Sequence, residues 1–312
     1  MRHNNLKGTL ILLVTAIIWG FAFVAQSHTV SVPPMLVNCL RSVISVAFLT
    51  VLYRIINRKS KKPFIPTEPS ERKLMFRGGI ICGVCFTVAA NLQQAGISLY
   101  PKEAPVEAHS GFLTALYVVI VPIISIVIRK KISPILWVSV GMALIGFFML
   151  SLYGGIGSFY VGDAVILVCA FAFSMQIIVI DIYVSVVDSV KLSLMQFCIC
   201  AILSGILSAI FEHNAIDLNA LRDCLLPIVY LGLLSSGVAY TLQMVGQRYA
   251  EPAVASITMS LESVFAALGG WLISGKSLKG NEIIGCAVVF AAIIIAQLPD
   301  ILRAKRKKEE NS

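Results

Sequence analysis

Phe21-Ala22-Phe23-Val24-Ala25-Gln26 recurs as Phe171-Ala172-Phe173-Ser174-Met175-Gln176, an offset of 150 residues in a chain of 312. Phe and Ala are common in apolar chains, so six letters alone carry little. An offset of about half the chain carries more, because internal repetition governs how the rest of a sequence is read. Other matches fall near it. Phe86-Thr87 followed by Gln93 matches Tyr240-Thr241 followed by Gln247, 154 residues on. Leu116-Tyr117-Val118-Val119 aligns with Leu261-Glu262-Ser263-Val264, 145 residues on. Small loop differences account for the spread. The chain reads as a duplication.

Its composition says where such a duplication resides. The chain is 58% hydrophobic and 13% charged, with mean hydropathy +0.88. A soluble domain carries roughly 25% charged residues, so this one lacks the polar surface to face water. Its apolar runs of about 20 residues match the thickness of a bilayer instead. The net charge of +9 does not point to nucleic acid. The basic residues gather in loops and in the tail (Arg303, Lys305, Arg306, Lys307, Lys308), where they meet cytosol and lipid headgroups. The eight cysteines lie mostly inside apolar runs. Cys82 and Cys85 have C-x-x-C spacing but no companion pair, so they read as packing residues with neither metal nor disulfide. The run behind Met1-Arg2-His3 resembles a signal peptide, but its length and the runs after it favour an uncleaved first helix.

Ten apolar spans are expected, near 8–27, 34–56, 75–98, 105–128, 133–152, 161–183, 190–211, 225–247, 252–274 and 280–299. Counting Lys and Arg on alternate sides puts about twenty with the two termini and about four opposite. Basic residues stay on the cytoplasmic side, so both termini are expected there, in a multi-pass protein of the plasma or inner membrane. Five spans separate equivalent points of the repeat. An odd number means that the second copy enters from the other side, giving an inverted repeat of two five-helix halves, 1–155 and 156–300, with a basic tail at 301–312.

From this point the residues resemble a known family. Ser110-Gly-Phe-Leu-Thr-Ala-Leu-Tyr-Val-Val-Ile-Val-Pro122 is similar to the fourth-span signature of EamA-type members of the drug/metabolite transporter superfamily. Leu261-Glu-Ser-Val-Phe-Ala-Ala-Leu-Gly-Gly-Trp271 resembles the ninth-span signature. Trp19-Gly20, Arg41, Leu92-Gln93-Gln94 and Gly162-Asp163 also fit, and the similarity covers about residues 8–299. The resemblance implies ten helices, a central cavity between spans 1–4 and 6–9, and alternating-access transport of small metabolites, with export of amino acids or related compounds frequent. The chain departs from the pattern twice. Its 3–4 connection is longer than the repeat-related one, and Ser263 stands where the signature usually has Pro, which is expected to straighten the ninth helix.

Polar side chains within hydrocarbon need a partner or a water-filled path, and so mark a transport route. Arg41 lies roughly 10 Å below the start of span 2, at 1.5 Å per residue, and Glu262 lies near the middle of span 9. These two charges can neutralise each other or grip the carboxylate and ammonium of a zwitterion. Glu262 is also a candidate proton carrier, since burial and a neighbouring Arg act on a carboxyl in opposite directions. Trp19, Phe23 and Gln26 share a helical face, as do Cys169, Phe173 and Gln176. Gln26 and Gln93 fall toward the outer ends of their helices, Gln176 and Gln247 toward the inner ends. They are expected to line or close the two mouths; interhelical hydrogen bonding is the plainer alternative. Tyr117 and Tyr240 are candidate cavity walls, and Asn38 is a further lining candidate, with Asn91, Gln94, Gln196 and Gln243 behind it.

The expected function is therefore secondary transport of a small polar metabolite, with export as the direction. A membrane enzyme would need convergent carboxylates, a nucleophile with its base or a His cluster; a receptor or scaffold would not require mirrored polar residues. No P-loop for ATP is present in the sequence, and no cofactor or metal is expected. The partners are the bilayer and a small-molecule substrate, with no nucleic acid. A proton or counter-substrate, and a second copy in a homodimer, are further partners that this reading allows.

Overall fold

The computed structural model describes residues 5–58, 63–101, 106–128, 133–151, 160–274 and 280–309. Among them every regular element is helical. In chain order these are α1 (Asn5–Ser27), α2 (Pro34–Ile56), α3 (Pro69–Ser98), α4 (Val106–Ala115), α5 (Tyr117–Val127), α6 (Pro134–Ser151), α7 (Val161–Tyr183) and α8 (Ser189–Phe211). A short 3-10 turn and α9 (Leu218–Asp223) lead into α10 (Leu225–Tyr230), a π-helical stretch over Leu231–Ala239, α11 (Tyr240–Gln247), α12 (Pro252–Met259), α13 (Glu262–Ser274) and α14 (Gly280–Glu309). Lys102, Arg129, Lys130, Lys131, Lys276, Lys279, the boundary at 155/156 and the side chains of His109 and the basic tail lie outside the described residues.

Eight helical stretches among the described residues are long and apolar enough to cross a membrane. Apolar helix also covers Pro134–Gly146 and Ile283–Ala296, where the fifth and tenth spans are expected, but over shorter lengths. Large apolar side chains such as Val43, Val51, Phe171 and Ile206 face outward, the arrangement that lipid requires. The two hexapeptides show how one pattern serves both surfaces. Phe23 and Phe173 are buried, whereas Phe171 is 53% exposed.

Three of the expected continuous spans are interrupted. Between α4 and α5 the chain tightens at Leu116, where Leu116 N bonds Leu113 O and Val119 N bonds Leu116 O. Pro122 follows and removes one intrahelical donor. Between α12 and α13 the same tightening occurs at Ser260–Leu261, with Leu261 N on Thr258 O and Ser263 N on Ser260 O. Ser263 therefore does not straighten the ninth span. Its hydroxyl donates to Ser260 O at 2.8 Å, and that of Ser260 to Ile257 O at 2.7 Å, so serine-to-backbone bonds hold the tight turn that Pro would otherwise impose. The third interruption is the π-helical stretch in the eighth span. Irregular backbone at membrane depth survives only where protein buries it or a cavity adjoins it, and all three interruptions adjoin the same cavity.

The elements interlock across the chain. α3 runs antiparallel to α7, with Gly78 against the Tyr183 ring and Gly96 against Ile166, and parallel to α8, with Gly83 against Ile199. α1 runs parallel to α13, with Gly20 against Phe265 and Val24 against Gly269. A Cβ at Gly20 would stand 2.2 Å from Phe265 Cβ and 2.7 Å from its carbonyl carbon. Because backbone cannot yield as a flexible side chain can, Gly20→Ala should force the two helices apart. The expected cost is about 1–3 kcal/mol, read as a lower melting temperature in detergent. An unchanged melting temperature would show that α1 and α13 are not in this contact.

Candidate functional site

α1 presents Trp19, Phe23 and Gln26 on one face toward α2, α3, α7 and the three interrupted spans 4, 8 and 9. Together they line a small central cavity whose free space is about 30 Å³. No side chain lining it is more than 8% exposed. Nine of the eleven residues singled out from the sequence meet there: Trp19, Phe23, Gln26, Arg41, Gln93, Tyr117, Gln176, Tyr240 and Glu262.

Asn38 and Gln247 are not among the lining residues. Asn38 donates instead to Ala90 O (3.0 Å) and Asn91 Oδ1 (3.2 Å), tying α2 to α3. Gln247 donates to Ile177 O at 2.9 Å. Its expected place is taken by Gln243, one turn earlier. Tyr240, Gln243 and Gln247 share one face of α11, and Gln247 lies one turn beyond the cavity that the other two line. Gln243 in fact stands 150 residues after Gln93, the offset of the hexapeptide.

Arg41 is 3% exposed. Its Nε donates to Ser236 Oγ (2.8 Å) and its Nη2 to Ser235 Oγ (3.0 Å), both on the π-helical stretch. The same stretch is held to α1, since Trp19 Nε1 donates to Ser235 O at 3.3 Å. Glu262, the first residue of α13, is 4% exposed. It accepts from Tyr117 Oη at 2.8 Å. Tyr117 and Glu262 are the aligned residues of the two halves, and each begins the helix that follows a break. Among the described residues no ion pair joins Arg41 to Glu262, so the cavity holds a cation and a carboxyl that do not neutralise each other by contact. Tyr240 packs on Trp19 with ring centroids 4.5 Å apart, and on Phe86 at 4.7 Å, forming an aromatic floor.

The glutamines divide into two groups. Toward the end formed by the α1–α2 turn, Gln26 Nε2 donates to Gln93 Oε1 (3.1 Å) and Gln94 Oε1 (3.2 Å). Toward the other end, Gln176 donates to Gln196 Oε1 (3.1 Å) and accepts from Gln243 Nε2 (3.4 Å). Beyond the first group, Ser27 Oγ bonds Glu107, and Tyr100 donates to Asp163. Burial first, and that bond second, hold the Tyr100 phenol well above its usual range.

The sequence reading missed Ala22, Thr114, Phe173, Ile177 and Ser235 as lining residues. Phe173 was within reach, being the repeat partner of Phe23, and adjacent Ser235-Ser236 in an apolar span is a visible signal. Ala22 and Ile177 offer none. Among the described residues no cluster of three His, Cys, Asp or Glu side chains could hold a metal ion.

The model of the EamA-like transporter family matches residues 6–152 and again residues 160–297. The chain belongs to the EamA-like transporter family. It is a multi-pass membrane protein and a transporter, in contact with lipid and with a small-molecule substrate. An uncharacterized transporter of Archaeoglobus fulgidus is 28% identical over 297 residues, covering 95% of this chain and 87% of that one. A protein known from a crystal structure superposes with a TM-score of 0.72 at 20% identity, over 94% of this EamA chain and 97% of its own. That likeness is one of fold.

Proposed function

We propose that the chain is a secondary transporter that moves a small zwitterionic metabolite, an amino acid or related compound, by alternating access between two inverted five-helix halves. The observation that carries this reading is the buried central cavity, where Arg41 and Glu262 stand without a salt bridge between them. A carboxylate at Arg41 and an ammonium at Glu262 would satisfy both charges, with the aromatic floor packing the solute between them. The double family match supports duplication, and contact between the aligned residues Tyr117 and Glu262 is what a pseudo-twofold axis through the cavity would give. The glutamine groups are the two closed mouths, Gln26 with Gln93 at the outer one and Gln176 with Gln243 at the inner one. The count of basic residues supports cytoplasmic termini in the plasma or inner membrane, and export is the direction proposed.

The test is a thermal-shift panel of amino acids, nucleosides and sugars on purified protein, followed by exchange of each hit in liposomes. An amino acid or close analogue should both stabilise the protein and exchange. Stabilisation and exchange confined to nucleosides or sugars would overturn the zwitterion reading; exchange of no panel member would overturn the proposed substrate range.

A further inference from the structure

α2 and α8 lie side by side and antiparallel, with Met35 near Glu212 at one end and Tyr53 near Lys191 at the other. A tilt of one against the other opens the bundle at one end as it tightens the opposite end. A polar clasp crosses the pair at each end. At the first, Glu212 closes α8 and is 8% exposed. Its two carboxylate oxygens accept the N–H groups of Met35 and Leu36, each at 2.9 Å. These are first-turn donors that α2 cannot satisfy within itself, and the carboxylate also meets the positive end of that helix. Beside it, Cys224 Sγ donates to His28 O at 3.3 Å, a second grip on the α1–α2 turn.

At the opposite end Lys191, in the first turn of α8, donates to Pro63 O at 3.1 Å. Its ammonium stands 5.6 Å from the Tyr53 ring centre and 5.7 Å from that of Phe64. The two rings meet edge to face at 5.1 Å. Phe64 packs further onto the cluster of Met75, Tyr183, Leu192 and Met244, just beyond the Gln176 end of the cavity. In both clasps the connection after the second long helix of one half holds the first turn of the second long helix of the other.

We propose that these clasps are opposing locks on one rocking helix pair, Glu212 holding the Gln26 end shut and Lys191 the Gln176 end. They are unequal. Two part-buried charge-assisted bonds to one carboxylate outweigh one exposed ammonium bond with its aromatic rings, so the unliganded protein opens more readily at the Gln176 end. The inference rests on the two-half alternating-access reading.

Its test needs no substrate, so its failure would leave the exchange assay standing. Ala22→Cys and Ile177→Cys, both on the cavity wall, report access from opposite ends when an impermeant maleimide is applied to vesicles of each orientation. Labelling is counted above that of the parent chain. Glu212→Ala should speed labelling of Ala22→Cys about tenfold and leave Ile177→Cys unchanged or slower. Lys191→Ala should do the reverse, by about threefold. Each variant controls for misfolding in the other, since a loosened fold exposes both reporters. Equal acceleration at both reporters, no acceleration, or selectivity in one variant alone would overturn the paired locks.

Discussion

With a one-unit pH gradient across liposomes, the Glu262→Gln protein should accumulate its solute no more than to equality, where the parent reaches about tenfold for one proton exchanged. Exchange at equal pH should survive the substitution. The expectation follows from the surroundings of Glu262. It lies at bilayer depth, 4% exposed, and its hydrogen bond is to the neutral hydroxyl of Tyr117. A buried carboxylate without a counter-charge costs several kcal/mol, so a change of charge there must be matched by a proton or by the ammonium of the solute. Binding one in exchange for the other is coupling. Gln keeps the shape and an oxygen for Tyr117, and removes only the titration. Tyr117→Phe is the companion variant. It should keep the gradient response while losing about 1 kcal/mol of stability with the hydrogen bond. A gradient response that survives in Glu262→Gln would refute the proton role, and loss of exchange as well would assign Glu262 to solute binding alone.

Side chains that are expensive in a membrane were legible in the sequence. Arg41 and Glu262 stand out within apolar spans because lipid tolerates few charges, and both line the cavity. The hexapeptide pointed to Phe23, Gln26 and Gln176 because a repeated face implies a repeated neighbour. The helix breaks were harder to see. Leu116 lies in an apolar run with no change of pattern, Leu261 lies between Ser260 and Glu262 with no Gly or Pro to mark a break, and Ser263 reads as a better helix residue than the Pro it replaces. Only the hydroxyl bonds to Ser260 O and Ile257 O show that serine can hold the same turn. Gln247 reads as the lining residue in place of Gln243 because the two share one helical face, and periodicity alone does not show how far along that face a cavity extends. The clasps were invisible for a different reason. Glu212 and Lys191 are ordinary loop-edge charges until the fold brings Met35 and Pro63 to them across more than a hundred residues of chain.

Arg41→Met should weaken binding of a carboxylate-bearing solute by about a hundredfold or more, while the melting temperature of the unliganded protein holds or rises. The opposite signs are the point of the experiment. In the empty protein the guanidinium is buried and is held by two neutral hydroxyls, Ser235 and Ser236. Neutral partners return little of the cost of burying a charge, so a methionine of similar length removes that cost and keeps the packing. The freed serines can turn to carbonyls of their own helix, as Thr241 does with Gly237. Stability therefore has no need of the charge. Once a carboxylate enters, the comparison reverses. The guanidinium, aimed into the cavity through its bonds to the π-helical stretch, offers charge-assisted bonds that methionine cannot. An analogue of the solute lacking the carboxylate should bind parent and variant alike. If both ligands lost affinity together and the melting temperature fell, Arg41 would be a structural tie between α2 and the π-helical stretch, and the cation in the cavity would have no role in recognition.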